Sequence, residues 1–207
     1  MNLLLVAATE FEIAPFLKIN SNADTLITGV GIPATIFHLA KKLITNKYDL
    51  VIQAGIAGTF NNQLSLSEVV MVKKDTFGDI GIEEKGKLNS IFETGFMDKN
   101  EFPYTNGWLV NDNALLEKIN LHVVDAITIN KIGDNILQNK MASEKFSADI
   151  ESMEGAAFHY VCMQEKIKFL QLRSISNHVG ERDKSKWQLK NAIINLNKEL
   201  VKITEKI

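Results

Sequence analysis

ADIESMEGAAFHYVCMQEKIKFLQLRSISN, residues 148–177, is the stretch on which the fold turns. Its apolar opening ADIESM (148–153) and its close IKFLQLRSI (167–175) read as buried strands, and Glu154–Lys166 between them reads as a helix. The same alternation runs outward through the chain. NLLLVAA (2–8), TLITGV (25–30), DLVIQAG (49–55), SEVVMV (67–72) and HVVDAITI (122–129) are further candidate strands. Pro33–Thr45, Asp134–Lys145 and Lys186–Lys206 are candidate helices, the last with an apolar stripe through Leu189, Ile193, Leu196, Leu200 and Ile203. Buried strands separated by helices imply one α/β domain over residues 1–207, a three-layer αβα sandwich around a central mixed, largely parallel sheet. Residues 74–108 carry Gly, Asn, Asp and aromatics without a period and are expected to form loops or a local insertion.

Bulk composition narrows the function classes. A chain of 207 residues can bury a full core. With 45% hydrophobic and 23% charged residues it has ordinary globular composition. A net charge of −2 gives no electrostatic case for nucleic acid or an anionic membrane, and no apolar run is long enough for a membrane helix. MNLLLVAATE has no basic region before its apolar run and reads as a first strand rather than a signal peptide. Cys162 is the only cysteine, which excludes an internal disulfide and fits a cytoplasmic protein. The histidines, His38, His122, His159 and His178, show no metal-ligand spacing, so neither a metal nor a cofactor is expected. Only two arginines, Arg173 and Arg182, occur among 23 basic residues, and both lie beside the polar run RSISN. GVGIPA (29–34) follows a strand and opens a helix like a dinucleotide fingerprint, but the next strand ends on Gln53 and Gly55 rather than on the acid that would hold a ribose.

Ligands of such sheets bind at the carboxyl ends of strands, and four segments fall there: ATEFE (8–12), QAGIAG (53–58), ESMEGAAF (151–158) and RSISN (173–177). Taken singly each has a plain structural reading. Glu12 and Glu154 suit the positive ends of helices, and GIAG suits a tight turn.

Together, in this order, they resemble the purine nucleoside phosphorylase/nucleosidase family, and the resemblance spans nearly the whole chain. It implies cleavage of a purine N-glycosidic bond. On the match, Glu154 accepts from the ribose hydroxyls with Met153 under the ring, and Glu12 activates water. Asn177, supported by Ser176, meets the base at N7, while Ile56, Ala57 and Gly58 line the base. Arg173 is expected to fix an acid such as Glu12. Adenine-releasing relatives carry Asp where this chain has Asn177. An amide donor suits the N7 and O6 acceptors of a 6-oxopurine, which an ionised Asp would repel. Phosphorylases of the family hold phosphate with an early Arg, and none precedes position 173 here, so water is the expected nucleophile. Within the family the sequence is most similar to the branch that acts on futalosine, a hypoxanthine nucleoside with a benzoate-bearing 5′ extension, on the alternative route to menaquinone. For that extension the candidates are Arg182, Phe77, Phe96 and Trp187. Hydrolysis or phosphorolysis of inosine or guanosine, and adenine-releasing methylthioadenosine nucleosidase activity, are the alternatives. A homodimer or higher homo-oligomer follows by analogy. The family's adenine nucleosidases have Ser at the position of Ile56, where its hydroxyl helps place the water, so another group must do so here.

Overall fold

The computed structural model describes residues 1–19, 24–135, 141 and 143–206. Its main sheet contains β1 (Leu3–Ala7), β2 (Asp24–Ile27), β3 (Leu50–Thr59), β4 (Val69–Phe77), β7 (Leu109–Val110), β8 (His122–Thr128), β9 (Ile150–Ser152) and β10 (Phe169–His178). A separate hairpin pairs β5 (Gly81–Glu84) with β6 (Lys87–Ser90). The helices are α1 (Glu10–Ile19), α2 (Ile32–Thr45), α3 (Leu115–Lys118), α4 (Gly155–Gln164) and α5 (Leu189–Lys206).

The sheet is mixed, with β1, β2, β3 and β10 mutually parallel. Strand β10 runs antiparallel to β4, and β9 runs antiparallel to β3. The two strands of the 148–177 stretch are therefore separated in the sheet and opposed in direction. Because β10 pairs with both β3 and β4, while β8 and β9 bridge β4 back to β3, five strands close into a ring. Ala57, Val70, Val72, Val124, Ala126, Ile150 and Ile175 form one buried cluster drawn from all five strands of that ring.

Alternation along β1 explains the layers. Leu5 and Ala7 pack with α1 and α5 residues such as Ile13, Phe16, Leu196 and Leu200. Leu4 and Val6 pack with Leu39 and Leu43 of α2 and with Phe158 and Val161 of α4. Helices thus cover both faces of β1 and β3, which is why those strands carry almost no polar residue.

Some elements differ from expectation. Helix α1, implied by the reading of Glu12 at the positive end of a helix but given no bounds there, carries Pro15 inside it. Residues 74–77 extend β4, and 81–90 form a hairpin whose turn residues Lys85 and Gly86 both have positive φ, 52° and 77°. Of the expected helix Asp134–Lys145, residues 136–140 and 142 lie outside the described residues. Residues 143–146 are helical and 134–135 are not. RSISN, expected at the carboxyl end of its strand, lies within β10. Arg173, Ser174 and Ser176 are buried inside β10, which continues to His178 beside a β3 that runs to Thr59.

Candidate active site

A gap in the sheet makes the site. On one side of β3, Val6 of β1 pairs with Gln53, and the next partner on that side is Glu151 of β9, opposite Gly58. Residues 54–57 have no strand there. Helix α1 drops a carboxylate into the gap, and Ile56 N–H donates to Glu12 Oε1 at 3.2 Å. The other oxygen, Oε2, accepts from Thr9 N–H and Thr9 Oγ1, both at 3.0 Å, in the manner of a T-x-x-E cap. One side chain therefore caps its own helix and faces the opening where β1 ends.

Asn197 of α5 holds that turn in place. Its Oδ1 accepts from Phe16 N–H at 2.9 Å and its Nδ2 donates to Glu12 O at 2.8 Å, bridging a donor and an acceptor four residues apart on the helix that Pro15 interrupts. Asn197→Ala leaves both of these buried groups without this partner. The expected cost is about 2 kcal/mol of stability, with lower turnover as Glu12 shifts, read by thermal denaturation and steady-state rates.

Glu154 precedes α4, and its placement is built from several directions. Its Oε1 accepts from Gly31 N–H at 3.0 Å, in the glycine turn before α2 that resembled a dinucleotide motif. Its Oε2 lies 3.7 Å from Arg173 Nη1. The acid paired with Arg173 is thus Glu154 and not Glu12. The guanidinium also donates from Nη2 to Gln53 Oε1 at 2.8 Å and from Nη1 to Ile56 O at 3.5 Å. Burial raises the Glu154 carboxyl, and Arg173 and the Gly31 N–H act against that rise while the negative charge of Glu12 adds to it. Gly55 makes the arrangement possible, since a Cβ there would fall 2.3 Å from Arg173 Nη1 and 2.9 Å from Glu12 Oε1.

The start of α4 explains why the motif reads Glu-Gly-Ala. Ala156 N–H donates to Thr128 Oγ1 at 2.7 Å, and Thr128 donates to Asp75 Oδ1 at 3.0 Å. A Cβ on Gly155 would lie 2.1 Å from Asp75 Oδ2, so only glycine fits. Full burial pushes the Asp75 carboxyl up to about 7, against the hydrogen bond from Thr128 and the charge of Arg173.

At the far end, a bulge in β10 between Ile175 and Asn177 re-aims the chain. Asn177 Oδ1 accepts from Ser176 Oγ at 2.7 Å, and its Nδ2 donates one hydrogen to His178 O at 2.9 Å. The second amide hydrogen remains for a ligand.

These groups line one cleft of about 290 Å³. The structure brings Glu12, Met153, Glu154, Ile56, Ala57, Gly58, Ser176, Asn177 and Trp187 together there. Arg173 lies behind the wall, 1% exposed. Arg182 is exposed, its guanidinium carbon 5.8 Å from the centre of the Trp187 ring. Phe77 and Phe96 are not brought to this cleft. Phe77 packs against the Tyr104, Leu109 and Ala156 cluster, and Phe96 is exposed. Sequence reasoning missed Phe11, Val30, Ile132 and Glu151, which also line the cleft. Among the described residues no cluster of His, Cys, Asp and Glu is arranged to hold a metal, and no helix is long and apolar enough to cross a membrane.

The sequence model of the phosphorylase superfamily matches residues 25–207. The chain belongs to the phosphorylase superfamily. Within it, the chain is 28% identical over 172 residues to the futalosine hydrolase of Thermus thermophilus, covering 81% of this chain and 75% of that protein. It is 26% identical over 170 residues to the 5′-methylthioadenosine/S-adenosylhomocysteine nucleosidase of Shewanella loihica, covering 76% and 70%. The structure of futalosine hydrolase from Helicobacter pylori superposes with a TM-score of 0.81 at 14% identity, covering 100% of this chain and 98% of that one. That superfamily architecture is the curled mixed sheet with helices on both faces described above.

Proposed function

We propose that this superfamily member hydrolyses the N-glycosidic bond of futalosine, releasing hypoxanthine, as its resemblance to the branch serving menaquinone synthesis implies. The observation that carries the reaction type is the charge of the cleft. Its lining holds three acids, Glu12, Glu151 and Glu154, and, among the described residues, no Lys or Arg. Such a lining repels phosphate and favours water. The choice of base rests on Asn177, whose free amide hydrogen suits an acceptor edge, and on the similarity to the Thermus thermophilus enzyme.

In this reading water adds to C1′ as the C1′–N9 bond breaks. Glu12 takes the proton from water and its charge stabilises the oxocarbenium-like sugar. Glu154 accepts from the ribose hydroxyls, which become stronger donors as the ring gains positive charge. Asn177 donates a hydrogen bond to N7 as negative charge collects on the base, a bond whose loss costs about 3 kcal/mol, and the departing base anion takes up, by way of solvent, the proton that Glu12 removed from water. Trp187 and Arg182 stand where an aromatic carboxylate at the 5′ end would be met, and this too is part of the proposal. So is the cytoplasm, supported by the single, buried free thiol of Cys162. A second copy of the chain is the partner proposed for the mouth, where Phe11 and Val30 are 62% and 57% exposed.

Chromatography of the protein with futalosine, inosine and methylthioadenosine, each with and without phosphate, tests the reading. Hypoxanthine from futalosine, indifferent to phosphate, is the expected result. Phosphate-dependent cleavage of inosine would replace it with a salvage phosphorylase, and adenine from methylthioadenosine would replace it with the nucleosidase activity named for the Shewanella loihica relative.

A further inference from the structure

Asp75 is fully buried, and the reaction above gives it no part. Thr128 donates to its Oδ1, and Gln171 Nε2 lies 3.3 Å from its Oδ2. Both side chains press on Gly155, the residue after Glu154, where a Cβ would fall 2.1 Å from Asp75 Oδ2 and 2.3 Å from Gln171 Nε2. Gln171 also reaches the ring of His159 on α4, whose Nδ1 lies 3.0 Å from Leu109 O. In this arrangement Gln171 Oε1 and His159 Nε2 are both buried without a hydrogen-bond partner among the described residues. Two such orphans on touching side chains are costly.

The protons show how the cost is removed. Leu109 O can only accept, so His159 Nδ1 carries a hydrogen. Full burial and the charge of Arg173 push the imidazole down to about 4, so near neutral pH it has no second hydrogen and Nε2 is an acceptor. The Gln171 amide is the donor within reach. Turned end for end, it keeps its shape, gives Nε2–H to His159 and sets Oε1 against Asp75 Oδ2. Two oxygens in contact need a proton between them, and only the carboxyl can hold it. Thr128 fits the same state, since it accepts from Ala156 N–H and gives its own hydrogen to Oδ1, the carbonyl end of a neutral acid.

We propose that Asp75 is a positioning residue that works in its protonated form, donating to Gln171 Oε1 at the head of a relay to His159 and so leaving Arg173 to Glu154. The inference rests on the assignment of Glu154 to the ribose. Arg173 is the only Lys or Arg buried among the described residues, and its charge acts on both carboxyls. An ionised Asp75 would compete for that cation and raise Glu154 further. The groups that face Asp75 are Arg173 and Gln171 of β10, Thr128 of β8, His159 of α4 and Glu154 before it, with the apolar Leu109 opposite on β7. Burial raises Asp75 to about 7 against Thr128 and Arg173, in keeping with the neutral form.

Asp75→Asn keeps a neutral donor and acceptor but cannot titrate, and denaturant melts compare it with the unmodified protein from pH 4 to pH 8. A carboxyl raised in the folded state gives up stability as pH climbs from its unfolded value of 3.8 through about 7. The difference should therefore move in favour of Asp75→Asn across that window and level off above it. Glu151 and Glu154, raised in both proteins, cancel. His159→Phe removes the acceptor at the end of the relay, so Gln171 Nε2 returns to Asp75, which then ionises more readily. The acidic limb of kcat/KM for futalosine should move up by about one pH unit, a tenfold change in the proton affinity of Glu154, and adding Asp75→Asn should bring it back. A merely structural role for Asp75 would produce neither the shift nor its rescue. If the stability difference moves against Asp75→Asn as pH rises, Asp75 is an anion and the inference falls. It falls equally if the limb stays in place in a folded His159→Phe protein. Should the unmodified protein leave futalosine intact, the proposed function fails, while the melts still decide whether Asp75 holds a proton.

Discussion

Glu12→Gln is expected to lower the turnover of futalosine by about 10³-fold with the fold intact, since a positioned general base contributes roughly 10²- to 10⁴-fold. The size follows from where Glu12 sits. It is 7% exposed and lines the cleft, and three donors, from Thr9 and Ile56, fix both of its oxygens. The amide preserves length and shape but takes no proton from water. Its NH₂ must also face at least one of those donors, which costs about 1 kcal/mol of stability. Substrate binding should change much less than turnover, because the ribose hydroxyls are assigned to Glu154. Single-turnover rates beside a binding isotherm separate the two. Unchanged turnover in a folded Glu12→Gln protein would remove Glu12 from the chemistry.

Arg173→Ala carries the largest expected loss of stability, about 3 to 5 kcal/mol, because it leaves Glu154 buried without its cation. Gln53 and Ile56 O lose a donor at the same time. The sign of the pH dependence is fixed by Glu154. Its carboxyl is already raised from the ordinary 4.5 by burial, and removing Arg173 raises it further. A raised acid binds a proton more tightly in the folded state than in the unfolded one. Stability is therefore lost as pH climbs through the folded-state value and regained as pH falls toward 4.5. Asp75, also shifted downward by Arg173, adds in the same direction. The deficit should be widest at pH 8 and narrower at pH 5. Activity should move oppositely, since a protonated Glu154 is a poorer acceptor for the ribose. Denaturant melts and kcat/KM at the two pH values check both signs, and a deficit equal at both would refute the pairing.

The alternation of apolar runs and helical patterns was legible because the central strands β1, β3 and β10 are buried on both faces along almost their whole length. Leu4, Leu5, Val6 and Ala7 of β1 are all buried, and no polar position interrupts them. The motifs were legible for a related reason. Gly155 must be glycine because Asp75 leaves no room for a Cβ, so the chemistry leaves a fixed mark in the chain. Asn197 left a mark that reasoning passed over: a polar residue between Ile193 and Leu200 on the inner stripe of α5. Glu151 left none, since an acid beside the inward-facing Ile150 of a strand is what a solvent-facing position also looks like.

Residues 148–177 by themselves determined that a helix would join two buried strands, and that Glu154 and Asn177 would stand at strand ends. The tertiary structure alone decided that those strands oppose each other, that the sheet closes into a ring, and that Arg173 serves Glu154. The reason is physical. Periodicity records which side of an element is buried, but pairing partners are set by hydrogen bonds between backbones distant in sequence. The gap between β1 and β9, where Glu12 meets Ile56 and Glu154 lines the same cleft, exists only where those pairings stop.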